Sequence, residues 1–156
     1  MTSTLARLLG AAVVALALSA SFAAAGQPLP RASTATLYRN ECGSCHLAFP
    51  PRLLQAADWR SVMTRLDRHY GEDASVDAAV AREIGRYLEA NGGRRAGGND
   101  GGLPRITTGR WFANEHREVS ASTWSSPDVK SRANCAACHR NAAQGDFDDD
   151  DVHLPR

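Results

Sequence analysis

The sequence predicts an all-α chain with much loop, arranged as two small helical domains. Three observations carry that expectation. The two-residue apolar alternation of a half-buried strand is absent throughout. Apolar residues recur at helical spacing instead, as in Trp59, Val62, Met63 and Leu66. Between Asn91 and Gly102, six glycines in twelve residues divide the chain into two halves, as a flexible linker or an irregular loop.

The elements follow in order. Met1 to Arg7 carries one positive charge, Leu8 to Ala20 is apolar and broken only by small residues, and Ala23-Ala24-Ala25 gives a small-x-small pattern. Residues 1–25 therefore read as a secretory signal peptide cleaved after Ala25. A retained anchor is the alternative, but the run is short for a bilayer span, which needs about 20 residues. No later segment is apolar enough to cross a membrane, so the mature form is expected to be exported, without a transmembrane segment. Residues 26–90 form the first domain. Thr34 can cap a short helix running into Cys42, and Pro50-Pro51 breaks the chain after it. Asp58 suits the N-cap of a helix with Trp59, Val62, Met63 and Leu66 on one face, stopped by Gly71. Ser75 opens another with Val76, Val80, Ile84, Tyr87 and Leu88, ended by Asn91-Gly92. After the 91–102 linker, residues 103–156 form the second domain. A helix is expected around Trp111 to Val119, and another from Ser126-Pro127 through Val129 into Cys135.

Charge narrows the partners. The full chain carries a formal charge of +1, and removal of residues 1–25 takes away one Arg and no acid, leaving 131 residues at a net charge of 0. A balanced chain has no general attraction to nucleic acid, which calls for a basic surface.

Four cysteines in an exported protein ordinarily suggest two disulfides. Here all four sit in Cys42-Gly43-Ser44-Cys45-His46 and Cys135-Ala136-Ala137-Cys138-His139. A disulfide reading leaves both histidines as coincidences. On a helical turn, Cys-x-x-Cys places two sulfurs for thioether bonds to the two vinyl groups of a haem, and the adjacent His points at the iron. Zinc is the competing ligand of such a set, but an exported chain with the motif twice and no cysteine to spare favours two covalently attached haem c groups. Domains of about 55 to 65 residues build weak cores alone, and a large flat apolar cofactor supplies what they lack.

An electron carrier usually closes the sixth position of the iron. Besides the motif histidines, the chain has His69, His116 and His153, and Met63 is the one methionine after residue 25. His69 extends the face of Trp59, Val62 and Leu66; the competing Met63 sits mid-helix and reads as core filler. His116 shares a face with Phe112 and Val119, and His153 follows the acidic run Asp148 to Asp151 near the C-terminus. The assignment is His46 with His69 and His139 with His116. Two histidines per iron leave no open position and give a lower potential than His with Met, so no catalytic residue is expected. Arg105, Arg110 and Arg117 could meet haem propionates, Trp111 and Trp124 could flank the second haem, and Asp148 to Asp151 could attract a basic partner. Solvated side chains and plain packing explain each of these features as well.

The sequence resembles the bacterial periplasmic dihaem cytochrome c family. The match is densest in Arg105-Ile106-Thr107-Thr108-Gly109-Arg110-Trp111-Phe112, Glu115-His116-Arg117-Glu118-Val119, Val129-Lys130-Ser131, Asn134 to His139 and Gly145-Asp146-Phe147. In the first half Tyr38, Cys42 to His46 and His69-Tyr70-Gly71-Glu72-Asp73-Ala74 carry it. The resemblance implies a class I-like first haem domain, a distinct second one, and both irons ligated by two histidines, with His69 and His116 distal. It also implies a periplasmic carrier of electrons between a membrane cytochrome of the b type and soluble acceptors, one of them a small monohaem cytochrome that binds oxygen. The competing function is a haem enzyme, a peroxidase or small-molecule reductase, which needs a labile distal ligand.

Overall fold

The computed structural model describes residues 31–99 and 101–155, with side chains from Thr34 onward. The expected signal segment, residues 1–25, lies outside the described residues. The described residues are helical, with isolated bridges and no sheet, as the missing alternation implies. Among them no helix is long and apolar enough to cross a membrane.

The first half is a cluster of three helices, α1 (Arg31–Cys42), α2 (Ala56–Met63) and α3 (Ala78–Ala90). Helix α3 is the centre, packed against both others. Its start is fixed by Asp77, whose carboxylate accepts from the Ala79 and Val80 amides at 2.8 and 3.3 Å, satisfying donors that a helix N-terminus leaves open. The helix therefore begins two residues after the Ser75 expected to open it. Its apolar face buries Ile84 and Leu88 completely. At the other end Asn91 donates from its side chain to the Tyr87 carbonyl at 2.8 Å. Helix α2 begins before the expected Asp58 cap, with Gln55 at the N-cap and Asp58 in the first turn. There Asp58 is free to accept from the Gly97 amide at 2.8 Å. Thr34 lies inside α1 rather than capping it, and its hydroxyl donates to Glu83 of α3 at 3.0 Å.

The second half holds only short helices, α4 (Arg110–Glu115) and α5 (Ala121–Trp124), joined by turns and single 3₁₀ turns. The helix expected from Trp111 to Val119 stops at Glu115, with His116 as its C-cap. No helix forms from Ser126 to Cys135: the Ser131 amide donates to the Val129 carbonyl at 2.6 Å, closing a three-residue turn on Lys130 at a φ of 60°. Burial of Val129, 1 % exposed, beneath this turn outweighs the helix-start signal of Ser-Pro. The remaining buried apolar residues here are few, namely Leu103, Ile106, Phe112 and Ala142, and Ile106 and Phe112 join the core of the first half.

Residues 93–98 of the glycine-rich segment pack closely on their surroundings. Gly93 and Arg95 exchange backbone hydrogen bonds with Leu54 and Gln55 at 2.7 and 2.8 Å, and Gly98 pairs with Arg105 through two of 2.9 Å. A Cβ on Gly98 would fall 2.2 Å from the Thr108 hydroxyl, so only glycine allows the backbones to approach this closely.

Replacing Ile84 by Ala should cost about 2 to 5 kcal/mol of unfolding free energy, and Asp77→Ala about 1 kcal/mol, both read by urea denaturation. An Ile84→Ala loss no larger than that of Asp77→Ala would contradict the central place given to α3.

Candidate functional site

The first motif continues α1. Cys42 is its last residue, and the Gly43 amide donates to the Arg39 carbonyl at 3.0 Å. A Cβ on Gly43 would lie 2.1 Å from that same oxygen, so the tight exit that turns Cys45 and His46 outward requires glycine. His46 Nδ1 lies 2.7 Å from the Leu47 carbonyl. A carbonyl only accepts, so Nδ1 carries the proton and Nε2 keeps a free lone pair. Phe49 stacks on the ring at 5.1 Å. Tyr38, buried in the core, donates to the Phe49 carbonyl at 2.7 Å and fixes that loop.

Across from His46 stands His69, ring centroids 6.2 Å apart and planes within 12° of parallel. His69 opens a tight turn: its amide donates to the Glu72 carbonyl at 2.7 Å and its carbonyl accepts at 3.1 Å. Both central residues have positive φ, 56° at Tyr70 and 109° at Gly71, the pattern of a type I′ turn. For an aromatic residue that region costs roughly 1–2 kcal/mol. Burial holds His69 below the usual imidazole range, with His46 and Arg105 adding to it. It is therefore neutral at pH 7 and able to donate a lone pair to a metal.

The second motif sits on a 3₁₀ turn, Cys135–Ala137, extended by the His139 amide donating to the Cys135 carbonyl at 2.8 Å. Its partner His116 caps α4, with Nδ1 2.9 Å from the Phe112 carbonyl and its ring stacked on Phe112 at 4.0 Å. As at His46, the proton is fixed on Nδ1. The His116 and His139 rings stand 6.1 Å apart at 78°. A cavity of about 280 Å³ opens beside His116, lined also by Val119, Trp124 and Arg132. Burial pushes His139 below its ordinary range too, with His116 as the second cause.

The expected residues thus come together in two pairs, one in each half. A metal ion bonded to both rings at about 2 Å, with about 1.1 Å from nitrogen to ring centre, would set the centroids about 6.2 Å apart. Both separations fit such a bridge. His69 Nδ1, His139 Nδ1 and Trp111 Nε1 are buried without a partner, an arrangement that suits a bulky group with acceptor atoms. No disulfide joins the four cysteines; before attachment, burial raises the Cys42 thiol to about 11 and moves Cys135 and Cys138 upward. Met63 packs against the core, across from Gly85 of α3. His153 is exposed, and its amide donates to the Cys138 carbonyl at 3.0 Å.

Of the three expected arginines, Arg105 lies over the Tyr70 ring at 4.4 Å beside His69. Arg117 lines the cavity at His116 and pairs with Glu118. Arg110 starts α4 and is exposed. Sequence reasoning missed Arg132, over Trp124 at 4.7 Å, and Tyr70, whose hydroxyl donates to the Pro104 carbonyl. The signals for Tyr70 were its place next to His69 and within the stretch that resembles the family, neither of which points to Pro104.

The family described as dihaem cytochrome c matches residues 38–147, an interval that spans both motifs and both histidine pairs. Three solved structures share the fold. A diheme cytochrome type c from Shewanella baltica OS155 superposes with a TM-score of 0.69 at 34 % identity, over 81 % of this chain and 95 % of that one. Diheme cytochrome c from Rhodobacter sphaeroides gives 0.62 at 36 % identity, over 72 % and 95 %. DHC purified from the same organism gives 0.59 at 39 %, over 72 % and 96 %. No curated protein matches the sequence. With the match running across both sites, and relatives covered almost end to end, the chain belongs to the dihaem cytochrome c family and binds two haem c groups.

Proposed function

We propose that the protein is a periplasmic electron carrier in which each haem iron is held between two histidines, His46 with His69 and His139 with His116. Cys42 and Cys45, and Cys135 and Cys138, form the thioether attachments. The observation that carries the reading is the facing of two histidine rings at about 6 Å in each half. When bound, haem supplies an iron that changes oxidation state by one electron at a potential set by its axial ligands and surroundings.

The chain's own residues supply the rest. His46 and His116 are oriented by backbone carbonyls that hold the proton on Nδ1 and present Nε2. His69 and His139 would supply the second histidine to each iron, leaving substrate no vacant position. Phe49, Phe112, Trp124 and Phe147 pack beside the ring pairs and supply apolar surface on the sides they cover. Imidazole on both sides keeps the potential low relative to His with Met. The signal-like pattern of residues 1–25 supports export to the periplasm. From the family resemblance come the proposed partners, a membrane cytochrome of the b type as donor and a soluble acceptor such as a monohaem oxygen-binding cytochrome. Such encounters are transient and bury little surface.

The visible spectrum of the purified protein should show two low-spin haems in both oxidation states, unchanged by carbon monoxide. Gas binding by the wild-type protein would favour an enzyme with a labile ligand. His116→Ala should leave one high-spin haem that binds the gas and has a raised potential; a variant spectrum identical to wild type would remove His116 from the ligand set. The ring planes lead to a separate expectation. Parallel imidazoles split the iron's π-type d orbitals strongly and crossed ones leave them nearly degenerate, so 12° and 78° should give two distinct low-spin ferric signals in electron paramagnetic resonance. One signal accounting for both irons would contradict that geometry.

A further inference from the structure

The four histidines are not held alike. His46 and His116 each have Nδ1 fixed by a backbone carbonyl one or four residues away. His69 Nδ1 is buried with no hydrogen-bond partner from the chain, so among the chain's own contacts it is packing that orients the ring. The packing comes from the neighbouring residue: the Tyr70 ring stands edge-on to His69 with centroids 4.7 Å apart at 70°.

Tyr70 is itself held from the other half of the chain. Its hydroxyl donates to the carbonyl of Pro104, 34 residues along, and the Arg105 guanidinium covers its ring at 4.4 Å. Arg105 is anchored by its reciprocal backbone pair with Gly98, and the adjacent Gly97 amide donates to Asp58 of α2. The grip starts and ends on the rigid part of the first half, with residues of the second half between. A φ of 56° at Tyr70 is a conformation in which glycine or asparagine is at ease and a bulky aromatic is not. An aromatic held at such a position, with its hydroxyl, ring edge and ring face all engaged, is there for its side chain.

We propose that Tyr70 is a positioning residue for the first haem: it holds His69 against the iron and, through Pro104 and Arg105, makes that ligand's grip depend on the seating of the second half. The inference rests on the reading of His69 as a distal ligand. Tyr70→Phe keeps the ring edge and the face for Arg105 but loses the bond to Pro104. Tyr70→Ala loses all three.

The test is carbon monoxide binding to the reduced, haem-loaded protein, followed with Tyr70→Phe, Tyr70→Ala and His69→Ala and with the ferric resonance signal of each haem. The wild type should bind no gas, Tyr70→Phe should admit it slowly at the first haem through loss of one hydrogen bond, and Tyr70→Ala should admit it faster. The potential of that haem should rise while the signal of the second haem stays as in wild type. If His69→Ala leaves the first haem closed to the gas, the ligand reading fails and the proposal with it. If His69→Ala opens the haem but Tyr70→Ala binds no faster than wild type, the role of Tyr70 alone is overturned. Equal changes at both haems would mean general loosening and would also overturn it. Tyr70→Phe, which removes one oxygen atom, remains a readable test should Tyr70→Ala fold poorly.

Discussion

Two imidazole rings facing each other at about 6 Å, once in each half, impose the demand that shapes the rest of the molecule. That spacing leaves a slot too wide for close ring stacking. The walls must therefore hold their positions from behind, through backbone carbonyls on two rings and through neighbouring aromatics on the other two. In the second half this scaffolding takes up most of the sequence: two short helices, a strained turn at Lys130 and three 3₁₀ turns past Val129. Its few buried apolar side chains make sense when a haem provides the missing apolar surface.

Chemistry with a fixed local spacing was legible in the sequence. The thiols and the proximal histidine must lie within one turn of each other, so five consecutive residues announce the site. His69 and His116 were reachable because both follow apolar residues at helical spacing. The all-α class was legible for the same reason, since periodicity survives without tertiary information. Ends of elements were less so. Asp58 and Ser75 both have the chemistry of an N-cap, but Asp58 is drawn to the Gly97 amide and Asp77 wins the cap of α3. Ser126-Pro127 signals a helix that never forms, because burying Val129 and tying Asn134 to its carbonyl is worth more than local propensity. The partnership of Tyr70 with Pro104 spans 34 residues and has no periodic trace at all.

Arginines over aromatic rings recur at the boundary between the halves. Arg52 faces Phe147 at 5.9 Å and donates to the Gly145 carbonyl, while Arg95 covers Trp111 at 4.7 Å. Guanidinium suits this position because it stacks flat, donates in several directions and stays charged at any ordinary pH. Each contact is modest, but Phe147 also touches His139 and Trp111 also touches Phe112. These two contacts between the halves thus also reach the walls of the second site.

Gly93, Gly97 and Gly98 lie so near Arg52, Leu54, Arg105 and Thr108 that a methyl group has no room. Residues 93–98 belong to a stretch whose composition reads as a flexible linker or an irregular loop, and they lie tight against both halves. In a tethered pair of redox modules, exchange between them waits on the two bodies finding one another, and thickening the solvent slows it. Here the joint is set before any electron arrives. Passage from one haem to the other would be governed by a frozen gap, and should proceed at the same pace in syrup as in water.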